Sequence, residues 1–275
     1  MRAINQPVSW WGWHWEPSVP MSVVELIRAG SMSSRLAAMF WIAMERGASL
    51  IVAADPPSAG KTTTLTALMS FTPPDTLAYF TRGLGEPFAL PARTNSHPTY
   101  MLINEMSDHL PVYTWDEYAR RAFELLAEGY CLATTMHDDT VEGVLGQLER
   151  DLRIPRQQIA NLTFIVTLHV GSTGGQQRRG IHEVALLRPN GDDLLTSSVA
   201  RWDSHRDEFE VLPEAGQRDA FAGWAGLSAE ALEAELERRE VFLRRLLDEG
   251  TESIPEVSTA IERYYEEELR QRPGA

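Results

Sequence analysis

Ser49-Leu50-Ile51-Val52-Ala53-Ala54-Asp55-Pro56-Pro57-Ser58-Ala59-Gly60-Lys61-Thr62-Thr63-Thr64 is the stretch that decides the reading of this chain. Its apolar opening, Ser49 to Ala54, predicts a short buried strand, the Pro/Gly-rich stretch a tight turn, and Thr62 to Ser70 a helix. Strand, loop and helix in that order, with Gly-Lys-Thr where loop meets helix, is the pattern of a phosphate-binding loop. Such a loop aims backbone N–H groups at phosphate oxygens, its lysine reaches the terminal phosphates, and the next hydroxyl ligates Mg2+. On this pattern Ser58, Ala59, Gly60, Lys61, Thr62 and Thr63 hold a nucleotide, with Thr62 on the metal. Asp55 stands where the pattern has its first glycine and brings a carboxylate towards the phosphates. Gly-Lys-Thr also occurs by chance in ordinary turns, and the flanking strand and helix argue against that here.

Composition sharpens the point. Every basic residue in the chain is arginine except Lys61. A compact ammonium on a flexible stem suits a phosphate loop in a way the planar guanidinium does not. With 275 residues, 43% of them hydrophobic, the chain can bury a core of one α/β domain plus a smaller appendage. No apolar run is long enough for a membrane helix, and no signal-peptide pattern opens the sequence. The one cysteine, Cys131, excludes an intrachain disulfide and a Cys-x-x-Cys motif, which fits a reducing cytoplasm. A formal net charge of −14 disfavours extended nucleic-acid binding.

Working outward, Met1 to Pro20, with Trp10, Trp11, Trp13 and Trp15, has no period and reads as a non-regular arm that either docks on a membrane or partner or packs on the domain's own edge. Ser22 caps a short helix through Ala29, and Ser33 or Ser34 a second through Glu45. Continuous apolar runs at Leu77 to Phe80, Tyr100 to Ile103, Tyr130 to Thr135 and Leu162 to Val170 suit a parallel sheet covered on both faces. Trp115 to Glu128 and Thr140 to Leu152 read as crossover helices. After Gly171 the segment STGGQQRRG reads as a flexible basic loop. Ile181 to Leu187 and Leu194 to Trp202 form a hairpin around Asn190-Gly191. From Leu212 the pattern is helical, with a long run from Ser228 to Leu247, Gly250 as a stop and a last helix from Pro255. The charged face of the long helix from Ser228 to Glu249 reads first as solvated and second as an oligomer or partner surface.

Three stretches then resemble one known family, the type II/IV secretion and pilus-assembly ATPases, in the branch of archaeal flagellar, archaeal type IV pilus and tight-adherence pilus motors. They are Pro17 to Phe71 with the phosphate loop, CLATTMHDDTVEGVLGQL at Cys131 to Leu148, which is similar to the family's histidine box, and the tail from Leu227 through Tyr265. The resemblance spans about residues 17 to 268. It implies an α/β fold with a RecA-like P-loop core, a mostly parallel sheet and a small C-terminal helical region. The expected division is an arm and linker at 1–30, the core at 31–211 and the helical region at 212–275. Glu105, which closes the run MLINE, falls on the family's Walker B glutamate, a group that positions water or Mg2+. His137 falls on the histidine box as a sensor of the γ-phosphate. The implied cofactors are ATP and Mg2+. The implied partners are sister subunits in a homo- or hetero-oligomer and an inner-membrane platform protein, with a cytoplasmic location, peripheral at that membrane.

Departures accompany the resemblance. No room precedes residue 17 for the family's N-terminal domain, so the chain reads as a reduced form. The acidic box is replaced by Phe80-Thr81-Arg82-Gly83, with Glu86 the nearest carboxylate, and a helix is missing between Leu90 and Tyr100. Asn104 and Ser107 replace a glycine and an arginine around Glu105. These readings stay open: a motor with weak or partner-dependent hydrolysis, a non-hydrolysing nucleotide-binding subunit of such a motor, and, last, a small-molecule kinase with Arg178-Arg179 as its lid.

Overall fold

The structure, a computed structural model, describes residues 1–6, 20–94, 97–173 and 176–271. Its frame is one nine-stranded sheet. In chain order the strands are β1 (Arg2–Ala3), β2 (Leu50–Ala53), β3 (Leu77–Phe80), β4 (Thr99–Leu102), β5 (Cys131–Met136), β6 (Phe164–Thr173), β7 (Gln176–Asn190), β8 (Asp193–Asp203) and β9 (Glu208–Val211). They lie in the order β1-β3-β4-β5-β2-β6-β7-β8-β9. Pairing is parallel from β1 through β6 and antiparallel from β6 to β9.

The central strand, β2, shows why continuous apolar runs were needed. Leu50 and Val52 point into one apolar cluster and Ile51 and Ala53 into another, all fully buried. Alternate residues of a strand face opposite sides, so a strand covered on both faces has no polar position to spare. The first cluster lies under α1 (Val23–Arg28), α2 (Ser34–Glu45) and α3 (Lys61–Met69), together with α7 (Ala215–Ala225), α8 (Ala229–Glu249) and α9 (Ile254–Gln271). The second lies under α4 (Asp116–Ala127), α5 (Val141–Gly146) and the short α6 (Arg156–Ile159). This is a three-layer α/β sandwich.

Caps set the helix starts. Ser22 accepts from Glu25 N at 3.1 Å while the Glu25 carboxylate accepts from Ser22 N at 2.7 Å, a reciprocal box that satisfies two orphan donors. Ser33 and Ser228 cap α2 and α8 through their hydroxyls. The α2–α8 contact is built on Arg239, whose side chain is fully buried in ion pairs with Glu45 and Glu235. Its guanidinium lies 5.6 Å from the Trp41 ring and 5.5 Å from that of Tyr264.

Four sequence readings change. Arg2–Ala3, read as part of a non-regular arm, pairs with Leu77 and Ala78 and extends the sheet edge; the four arm tryptophans lie outside the described residues. In the segment read as a flexible basic loop the described residues are strand, with β6 and β7 paired out to Thr173 and Gln176. Thr140 to Leu152 is not one α-helix, because α5 passes into a π turn at Gln147–Asp151. Glu208–Val211 adds the edge strand β9.

Candidate functional site

Three chain segments distant in sequence end at the same edge of the sheet. β4, β5 and β2 are parallel neighbours, so the residues after them emerge together at the strands' carboxyl ends, where open α/β sheets bind ligands. The segment after β2 is the loop Asp55 to Gly60. Ser58 (φ +59°) and Gly60 (φ +99°) adopt left-handed backbone, which turns the chain sharply into α3. Ser58 is exposed, Ala59 is buried, and Thr62 and Thr63 are half-buried in the first turn of the helix.

Lys61 is buried at that turn. Its ammonium donates to Ala54 O at 2.9 Å and lies 3.3 Å from His137 Nδ1. Burial pushes its pKa below the ordinary lysine value, and the nearby carboxylates of Glu105, Asp55 and Asp139 oppose that shift. His137 follows β5. Its Nε2 lies 3.2 Å from Glu105 Oε1, and its Nδ1 also lies 3.3 Å from Asp55 O. An ammonium can only donate, so in the Lys61 contact Nδ1 accepts, and a neutral imidazole then donates Nε2–H to Glu105. His137 thus bridges the lysine to the carboxylate.

Glu105 follows β4 and is buried. Met106 N donates to Thr135 O at 2.9 Å, which prolongs the β4–β5 pairing, and Thr114 N donates to Glu105 O at 2.9 Å from the returning loop. Ser107 Oγ donates to Glu105 Oε1 at 2.8 Å, fixing the carboxylate. Asp139 Oδ1 accepts from Asp55 N at 2.8 Å and ties the Asp55 to Gly60 loop to the turn before α5. Gln147 donates to His137 O at 2.6 Å. The arrangement can hold an ammonium at the mouth of a loop of left-handed turns, with a fixed carboxylate one imidazole away. That juxtaposition suits anion binding next to a group able to orient water or a cation.

The structure therefore brings Lys61, Glu105 and His137 together and places Ser58 to Thr63 around the turn beside them. Glu86, the carboxylate nearest the replaced acidic box, is used differently. It is buried, and accepts from Tyr79 Oη at 2.6 Å, Arg82 N at 2.6 Å and Phe88 N at 2.7 Å, clamping its own loop. Sequence reasoning passed over His109, which lies 4.0 Å from Glu105 Oε1, and Asp139, and named Ser107 only as a departure from the family pattern. The spacing Glu105-x-x-x-His109 and the pair Asp138-Asp139 beside His137 were the available signals. A cavity of about 600 Å3, lined in part by Arg46, Asp75, Arg93 and His97, opens at the strands' opposite, amino-terminal ends.

Fold and site together define an α/β protein with a lysine-bearing strand–loop–helix turn at the carboxyl edge of a parallel sheet core. No model of a known protein family matches the chain. It is 28% identical over 252 residues to the uncharacterised protein MJ1287 of Methanocaldococcus jannaschii, an alignment covering 81% of this chain and 90% of that one. It is 26% identical over 218 residues to the uncharacterised protein MJ0900 of the same organism, covering 69% of this chain and 38% of the larger relative. Among solved structures it is similar to the VirB11 ATPase of the Brucella suis type IV secretion system, with 20% identity, a TM-score of 0.41 and coverage of 59% of this chain and 54% of that one. The Legionella pneumophila ATPase DotB matches at 12% identity and a TM-score of 0.33 over 90% of this chain and 59% of that one. The chain thus spans between half and two thirds of each solved relative. Among the described residues no helix is long and apolar enough to cross a membrane.

Proposed function

We propose that the chain binds Mg-ATP on a RecA-like core and acts as a subunit of a secretion or pilus-assembly type ATPase, with hydrolysis that is weak alone and depends on partner subunits. The observation that carries this reading is the convergence of Lys61, His137 and Glu105, drawn from three separate strand ends, at 3.3 Å and 3.2 Å in series beside the loop. Backbone N–H groups of Ser58 to Thr63 form the phosphate cradle, and Lys61 leaves Ala54 O to reach the β/γ oxygens. Thr62 would hold Mg2+, which when bound would supply positive charge beside the phosphates. Glu105, already fixed by Ser107, orients the attacking water or the ion, and His137 senses the γ-phosphate through its contact with Lys61.

Slow turnover follows from Glu86, because its carboxylate is committed to three structural donors and is not free to prepare water. The same observation favours the second reading, a non-hydrolysing nucleotide-binding subunit of a motor. On either reading the protein works in the cytoplasm beside an inner-membrane platform protein. Mg-ATP turnover by the chain alone and mixed with a full-length homologue separates the two. Turnover that appears in the mixture and falls with Glu105→Gln supports the first, and an unchanged mixture the second. Fast hydrolysis by the chain alone contradicts the partner dependence.

A further inference from the structure

We propose that Glu105, His109 and His137 form a binding site for a divalent transition ion, Zn2+ by its ligand chemistry, distinct from the nucleotide's magnesium. One ligand atom from each residue lies within 4.8 Å of the others. Tetrahedral Zn2+, with bonds of about 2.0–2.2 Å, sets its ligands about 3.4 Å apart. His137 Nε2 and Glu105 Oε1 are already 3.2 Å apart. His109 Nδ1 is 4.0 Å from the same oxygen, and its side chain, 62% exposed, is free to close the remainder. Two imidazoles and a carboxylate suit Zn2+, whereas Mg2+ prefers an all-oxygen shell.

Both rings have an outer partner on the nitrogen away from the ion. His137 Nδ1 faces Asp55 O at 3.3 Å, and His109 Nε2 faces Asp108 Oδ1 at 3.9 Å. Such partners orient metal-binding histidines. The competing contact is Lys61, whose ammonium donates to His137 Nδ1 at 3.3 Å. Ion binding needs the other tautomer. His137 gives its Nε2 proton to solvent and takes one from solvent on Nδ1, which then donates to Asp55 O, so the ring's proton count is unchanged and Lys61 is displaced. Zn2+ and the resting Lys61 contact therefore exclude one another.

The test is calorimetric titration of Zn2+ into the metal-stripped full chain, without nucleotide. One ion should bind. His109→Ala and His137→Ala should each weaken it at least about tenfold, the scale of lost metal-site partners. Lys61→Ala should tighten it, and excess Mg2+ should leave it unchanged. His109 is on an exposed loop, so His109→Ala should fold and keep wild-type Mg-ATP affinity, which separates failure of this site from failure of the nucleotide reading. Zn2+ affinity unchanged in His109→Ala, displacement by Mg2+, or no uptake by the wild type overturns the proposal.

Discussion

Replacing Gly60 by alanine isolates the backbone of the loop before α3 from everything around it. At φ +99° and ψ 13° this residue sits beyond the small left-handed region open to L-residues. An added Cβ would meet nothing within 4 Å, so there is neither a clash nor a packing gain, and the cost is conformational alone. Left-handed backbone costs an L-residue about 1–2 kcal/mol, and a strained dihedral about 1–3 kcal/mol. Alanine also loses less entropy on folding, returning about 0.4–1 kcal/mol. The net is a loss of about 1–2 kcal/mol, a factor of roughly 5 to 30 in the folded-to-unfolded ratio. Urea unfolding should report it as a lower midpoint with an unchanged slope. Gly250 is the control, since it has φ +73° with open space around it but caps α8, well away in the chain from the loop. Gly250→Ala should cost similar stability and leave Mg-ATP affinity intact, whereas Gly60→Ala should lose both. Wild-type stability in Gly60→Ala would refute the strain argument. Equal affinity losses in the two variants would show that general destabilisation, not the loop, weakens binding.

Other consequences follow from the same geometry. Asp55→Gly removes an exposed carboxylate beside the loop and should strengthen Mg-ATP binding, by about 1 kcal/mol or less because exposed charges are screened; calorimetry showing weaker binding would mean the side chain has a positive role. Glu86→Gln should cost about 1.5–3 kcal/mol in urea unfolding, since three donors lose a charged acceptor, while Mg-ATP affinity stays at the wild-type level. The buried Lys61 has a lowered pKa, so between its folded pKa and the ordinary lysine value the unfolded chain binds more protons at this site than the folded one. Stability should then rise as pH increases through the folded pKa, and nucleotide affinity should fall as the ammonium is lost. Lys61→Ala should remove this contribution, read as the difference in unfolding free energy between the two proteins across that range.

How much of this was legible depended on whether the signal was local. Ser49 to Ser70 gave strand, loop and helix because an apolar run, a proline-glycine turn and the capping geometry all lie within about twenty residues of one another. The parallel strands at Leu77, Tyr100 and Tyr130 were legible for the same reason, each being a short continuous run with no charged position. Glu105 and His137 had no local signal as a pair. Only their resemblance to a family's boxes put them in one site, and their contact arises from the β4–β5–β2 adjacency, which is a long-range property. His109 was missed because it sits in an irregular loop whose position is set by Thr114 N reaching back to Glu105 O. β1 and β9, of two and four residues, carry too little pattern of their own and are held by their neighbours. The role of Glu86 was equally hidden, because its donors are two backbone amides and a tyrosine from the strand before it.

The central claim is that Lys61 is the cation of a nucleotide phosphate site, and calorimetric titration of Mg-ATP into the wild type and Lys61→Ala tests it most directly. A charge-assisted contact is about 1.5–3 kcal/mol, so the variant should bind at least about tenfold more weakly, with its unfolding midpoint showing that it remains folded. Equal affinity in a folded Lys61→Ala protein, or no Mg-ATP binding by the wild type, would contradict the account.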